Sequence, residues 1–177
     1  RKSSNVGASM MALDLPREQL WSLFSRLGFG ESTDTGFPGE SGGQLTPHQR
    51  WARIDQATIS FGYGLSVTPL QLARAYAVLA ADGVRRPVSL LRLDQLPEGE
   101  RVISQGTAKA VRAMMESVVS DQGSAPQAAV FGYRVAGKTG TAKKSVSGGY
   151  ADDKYRSVFA GMAPVSDPRL VLVVMID

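Results

Sequence analysis

With 177 residues, 43% of them hydrophobic and 20% charged, the chain has the composition of one globular domain with a substantial core, which excludes a disordered or fibrous protein. Its 20 Lys and Arg against 16 Asp and Glu give a net charge of +4, mildly basic but without the cationic runs of a nucleic-acid-binding tail. There is no cysteine and His48 is the single histidine, so disulfide and thiolate chemistry are excluded and a zinc site nearly so; neither metal nor cofactor is expected.

The opening residues RKSSNVG carry neither an initiator Met nor the charged-then-apolar layout of a secretory leader, so the chain reads as starting inside a longer protein. Ser3-Ser4-Asn5 suits the cap of a helix through NVGASMMAL. Asp14 can cap a second helix with Pro16 in its first turn, Leu20, Phe24 and Leu27 at helical spacing, and Gly28 as its stop; Trp21 and Phe24 are read as core. Residues 29–46 form a Gly-rich loop, mostly a solvated connector yet long enough to suspect a function. Thr68-Pro69-Leu70-Gln71 is a capping box with Pro in the first helical position, opening a helix that ends at Gly83. Residues 84–99 read as extended and loop-like. Ser104 then caps a helix through Val119, with Ala108, Val111, Met115 and Val118 on one face and both Met114 and Met115 filling the core.

After Gly123 the texture changes to strands over 131–143, 155–164 and 170–176, the last two joined by the short turn Val165-Ser166-Asp167-Pro168, which implies antiparallel pairing. The outline is α+β: a mainly helical lobe over 1–127 and antiparallel strands over 128–177 that share a core. The longest apolar run, 170–176, has 7 residues, far short of the roughly 20 that span a bilayer. A sheet of three strands leaves an open edge, so the chain by itself is expected to be unstable.

The stretch GYRVAGKTGTAKK, residues 132–144, supports two parsings. Gly132-x4-Gly137-Lys138-Thr139 fits a phosphate loop, and VVMID at the carboxy terminus resembles the strand that would hold its magnesium. A phosphate loop must open a helix, however, and the residues after Thr139 are rich in Gly, Ser and β-branched side chains. As a strand, the same letters place the Thr139 and Thr141 hydroxyls on one face, about 7 Å apart, with Gly140 between them leaving the backbone open to a ligand. Two hydroxyls beside the Lys138 ammonium suit a carboxylate.

Ser3-x-Asn5 followed 135 positions later by Lys138-Thr139-Gly140-Thr141 is the order of the S-x-N and K-T-G motifs of penicillin-recognising enzymes. GFPGE at 36–40 and ISFGYGLSVTPLQLARAYAVLAADG at 59–83 also resemble the corresponding segments of class B penicillin-binding proteins, most closely the division-specific type. The resemblance extends over essentially the whole chain and implies an antiparallel sheet flanked by helices, with the site where the helical lobe meets the K-T-G strand. The S-x-x-K motif that supplies nucleophile and base in that family is absent, since no Ser stands three residues before any Lys. The resemblance puts it upstream of Arg1, with a membrane anchor further upstream, and implies that this chain alone is inert.

What the resemblance implies is a peptidoglycan D,D-transpeptidase of septal cell-wall synthesis that works through an acyl-serine. Its substrate is the D-Ala-D-Ala stem peptide, β-lactams are its covalent inhibitors, divisome membrane proteins are its partners, and its place is the periplasmic side of an inner-membrane anchor. In that reading Ser3 relays a proton, Asn5 binds the substrate amide, Lys138 supplies charge, and Thr139 and Thr141 bind the carboxylate, with the Thr141 N–H in the oxyanion site. Gly140 leaves room for substrate laid along the strand, and Tyr63 and Lys143 line the cleft. Glutamates 18, 31, 40, 98, 100 and 116 all lack the E-x-x-L-N context of a deacylating β-lactamase. A D,D-carboxypeptidase, a β-lactam sensor or scaffold of the same fold and, remotely, a phosphate-loop NTPase stay open as alternatives.

Overall fold

The computed structural model describes residues 2–146 and 149–177. Its helices are α1 (Asn5–Leu13), α2 (Arg17–Arg26), α3 (Arg53–Ile59), α4 (Pro69–Ala80) and α5 (Gln105–Val119). Two small antiparallel pairs tie the connections between them: β1 (Gln44–Leu45) with β2 (Leu65–Ser66), and β3 (Val84–Arg85) with β4 (Glu100–Arg101). Strands β5 (Ala136–Val146), β6 (Gly149–Ala163) and β7 (Leu170–Ile176) form an antiparallel sheet in the order β5-β6-β7.

Local chemistry explains where most elements begin. The Ser4 hydroxyl accepts the Gly7 N–H at 3.1 Å and starts α1. Thr68 and Gln71 form the reciprocal box of α4: the Thr68 hydroxyl accepts the Gln71 N–H at 3.1 Å, and the Gln71 amide oxygen accepts the Thr68 N–H at 2.8 Å. Ser104 accepts the Thr107 N–H at 3.0 Å and opens α5. The core lies where α4 and α5 cover one face of the sheet, with Met115, Ala136, Met162 and Val165 at its centre and Tyr76, Leu79 and Val111 against them. Buried Arg112 of α5 donates to the Leu79 carbonyl and pairs with Asp82 at 2.7 Å, which satisfies the carboxy-terminal end of α4 and locks the two helices together.

Several expectations are corrected. Asp14 does not cap α2; it closes α1, its N–H bonded to the Met10 carbonyl, and α2 starts directly after Pro16, whose fixed φ leads into the helix. Met115 is buried but Met114 is 62% exposed, because one step along α5 rotates a side chain by about 100° off the face shared by Ala108 and Met115. Trp21 and Phe24 are only half-buried, and pack on His48 and Phe29 respectively. Segment 29–46 is more than a solvated connector: the Glu40 carboxylate accepts hydrogen bonds from the Ser32 and Thr33 hydroxyls and the Thr35 N–H, and fully buried Gln71 donates to the Glu31 and Gly42 carbonyls. Those hydroxyls, Ser32 foremost, hold the Glu40 carboxyl below its ordinary range.

The phosphate-loop parsing fails. Gly132 sits at φ 80 in a tight turn that pairs Val130 with Tyr133, and Lys138-Thr139 lies inside β5 instead of opening a helix. Strand β5 therefore begins later than the sequence suggests and extends to Val146, while β6 starts at Gly149, ahead of the expected 155.

Among the described residues, no helix covers the face of the sheet away from α4 and α5. Ala136, Met162 and Val171 are cross-strand partners turned to the core. Strand alternation then puts Leu170, Leu172, Val174 and Ile176 on the other face, where they are 71, 57, 44 and 69% exposed. A contiguous apolar face beside an unpaired strand edge favours association. The 177-residue chain expressed alone is expected to bind a hydrophobic dye and to self-associate, and Leu172→Lys with Ile176→Lys should reduce both. A dye-silent monomer in analytical ultracentrifugation would contradict this.

Candidate active site

The site begins at the turn before α1. Ser3 holds φ 51, a left-handed conformation uncommon outside glycine, and Ser4 directly after it is committed to capping. That turn aims the Ser3 hydroxyl at the sheet, where Lys138 Nζ donates to Ser3 Oγ at 2.8 Å across 135 residues of sequence. The same ammonium donates to the Thr139 carbonyl. Lys138 is half-buried, and desolvation pulls its pKa below the ordinary lysine value. With an ammonium filling one lone pair, Ser3 keeps its own proton free to give to a third group. Asn5 stands exposed in the first turn of α1, two residues from Ser3.

Strand β5 presents a usable edge. It pairs with β6 on one side only, and two contacts reveal which of its peptide groups face outward. The Lys143 N–H leaves the sheet to donate to the Tyr63 hydroxyl at 3.2 Å, and the Thr139 carbonyl receives Lys138. In an antiparallel ladder both peptide groups of one residue point to the same side and alternate along the strand. The N–H and C=O of Thr141 therefore point outward too, between the two occupied positions. At Gly140 an added Cβ would meet no atom within 4 Å, so the space beside that residue is open. Thr141 is exposed beside it.

Tyr63 reaches β5 from the turn after α3, where Gly62 at φ 100 and Gly64 at φ 78 permit a bend that side chains resist. Phe61 supports the Tyr63 ring edge-on, with centroids 5.8 Å apart. Tyr63 and Lys143, expected only to line the cleft, thus meet each other, through the peptide N–H of Lys143. Lys144 pairs with Asp177 at 2.8 Å at the far end of the sheet.

One neighbour was not legible in the sequence. The Ser124 hydroxyl lies 3.3 Å from Thr139 Oγ1, brought there by the turn after α5. A lone Ser behind a Gly carries no motif.

Compared with known proteins, all of residues 1–177 match the family model described as the penicillin binding protein transpeptidase domain. Peptidoglycan D,D-transpeptidase FtsI of Escherichia coli K12 is 48% identical over the whole chain, which spans 30% of that protein. The probable peptidoglycan D,D-transpeptidase PbpC of Pseudomonas aeruginosa is 47% identical over 99% of the chain, which spans 31% of that relative. Among solved structures, the apo transpeptidase domain of penicillin-binding protein 3 from Burkholderia pseudomallei superposes with a TM-score of 0.95 at 50% identity, over 99% of this chain and 54% of that one. Penicillin-binding protein 3 of Mycobacterium tuberculosis, solved with aztreonam, gives 0.94 at 38% identity, over 99% of this chain and 43% of that one.

The Tyr63–Lys143 contact can be checked independently of any reaction. Tyr63→Phe should raise the amide exchange rate of Lys143 about fivefold, the loss of one neutral hydrogen bond. Amides of β5 that face β6 should not change. Unchanged Lys143 protection would mean that Tyr63 does not hold the strand.

Proposed function

The chain belongs to the penicillin-binding protein transpeptidase family, and we propose that the protein containing it is a peptidoglycan D,D-transpeptidase of septal wall synthesis, with residues 1–127 and 128–177 as helical and strand parts of one transpeptidase domain. The observation that carries this reading is the 2.8 Å contact between Ser3 and Lys138, which joins the S-x-N and K-T-G motifs at one point. Peptidoglycan stem peptides ending in D-Ala-D-Ala are the proposed substrates and β-lactams the covalent inhibitors. Divisome membrane proteins are the proposed partners, at the periplasmic face of an inner-membrane anchor.

The proposed chemistry is acyl transfer. A serine hydroxyl attacks the carbonyl between the two D-Ala residues, its proton passing to the paired lysine, and the C–N bond breaks as the leaving amine takes a proton through Ser3. An acceptor amine then attacks the ester, forms the new amide and returns the serine. No S-x-x-K occurs among the 177 residues, so the nucleophile and its lysine are assigned to the larger part of the relatives' length that this chain does not span, and the chain alone is inert.

The geometry supports the roles of Lys138 and Thr141 in particular. Lys138 keeps Ser3 oriented while leaving its proton transferable. The Thr141 N–H, pointing out of the sheet, suits an oxyanion donor, an interaction whose loss typically costs about 100- to 1000-fold in rate. Substrate would add as a strand along β5, with Thr139 and Thr141 on its carboxylate and Asn5 on its amide. The bond from Lys143 to Tyr63 closes the far end of that edge, leaving a short window of backbone that suits a dipeptide terminus better than a long peptide.

In the full protein, labelling by a fluorescent penicillin is the direct test. Lys138→Ala should slow acylation by about 10- to 100-fold, as expected for a charge-assisted contact, and Lys144→Ala should leave it unchanged. Equal effects would argue that β5 is ordinary surface.

Gly140→Ala should keep the melting temperature and lower acylation by about 100-fold, because a methyl placed in the open space displaces the substrate. Acylation close to wild type would show that substrate does not approach there.

The lowered Lys138 pKa also sets a pH dependence. Acylation should fall with rising pH below the ordinary lysine range of about 10.4, and Lys138→Arg should move that limb upward. For stability the sign is opposite: between the lowered value and about 10.4 the unfolded chain holds the proton that the folded one has lost, so this group makes stability rise with pH. A limb unmoved by Lys138→Arg would assign it to another group.

A further inference from the structure

Beside the hydroxyls that the functional reading uses, one more reaches β5: that of Ser124, next to Thr139 Oγ1. Ser124 is held by its neighbours. Gly123 packs so tightly against the end of α5 that a Cβ there would lie 2.0 Å from the Val118 carbonyl oxygen. On the other side Ala125 is 2% exposed, with its N–H bonded to that same carbonyl at 2.9 Å. Both flanks are fixed, while Ser124 itself is exposed and stands 3.3 Å from Thr139 Oγ1. An exposed serine has no packing reason to sit between two such constrained neighbours.

We propose that Ser124 is a positioning residue, one that donates its proton to Thr139 Oγ1 and so leaves the single Thr139 proton for the substrate carboxylate. A threonine hydroxyl has one proton and two lone pairs, and it can bind an anion only by donating. If Thr139 donated to Ser124, it would turn lone pairs toward the carboxylate. A donor on the acceptor side of Thr139 removes the unproductive orientation. The 3.3 Å separation is longer than the roughly 2.8 Å of a settled hydroxyl pair, and it shortens as a bound carboxylate polarises Thr139.

The inference rests on the transpeptidase reading, and its test separates the two. Acylation of the full protein is measured with a penicillin bearing its free carboxylate and with the methyl ester of the same compound. Ser124→Ala should slow the free acid about three- to tenfold, the range of one neutral hydrogen bond, and leave the ester unchanged. Ser124→Thr should restore the rate, and in a Thr139→Val background Ser124→Ala should have no further effect. Equal losses for acid and ester, no loss at all, or full additivity with Thr139→Val would overturn the positioning role while the family reading stands. A wild-type protein acylated by neither compound would overturn the transpeptidase reading, and the role of Ser124 with it.

Discussion

The contact between the Lys138 ammonium and the Ser3 hydroxyl is the constraint on which the rest of the site depends. It joins the start of the helical lobe to the sheet, and neither end is free to drift. Ser3 is turned toward β5 by a left-handed backbone that exists because Ser4 must cap α1 one residue later. Lys138 is fixed because β5 is clamped between β6 and α5, through Ala136 under Met115. The site geometry is therefore a product of core packing. A cavity opened at Met115 or Met162 would reach the chemistry without touching a functional side chain, because the β5 end of the contact rests on that core.

Burial gives that contact its electrostatic character. Desolvation disfavours the Lys138 ammonium, and its hydrogen bonds to a hydroxyl and a carbonyl replace water only in part. A carboxylate beside it would offset the remaining cost, so the surroundings of Lys138 favour an anion. The outward peptide groups of β5 add direction. A ligand that pairs with the strand and also carries a terminal carboxylate satisfies both demands, whereas a phosphate would satisfy only the charge.

Much of this was legible in the sequence wherever one residue type has one physical use. The Thr68–Gln71 box, the Ser104 cap and the strand at Lys138 followed from hydroxyls, glycines and periodicity within a few residues. Helix α3 gave no such signal: its cap position is Ala52, and the only box member is Asp55, whose carboxylate accepts the Ala52 N–H at 2.8 Å. Asp14 misled because an aspartate before Pro16 suits either the end of α1 or the start of α2, and α1 claimed it. The pairing of Tyr63 with Lys143 and the approach of Ser124 to Thr139 are set by how the lobe docks on the sheet. They lie 80 and 15 residues apart, and nothing local anticipates them.

Two of the glycines within residues 132–144, Gly137 and Gly140, show why the same letter has different causes. Gly137, which the phosphate-loop parsing would assign to a ligand, is small for a packing reason: the Phe159 ring lies across it, and an added Cβ would fall 2.4 Å from that ring. Gly161, its partner on β6, is constrained by the same ring at 2.7 Å. Phe159 is paired with Thr139, so the ring that forbids side chains at 137 and 161 sits on the cross-strand partner of Thr139. Gly140 is the reverse case, with nothing for a Cβ to strike. Packing thus requires glycine at 137 and leaves 140 free of that requirement, next to peptide groups that β6 does not use.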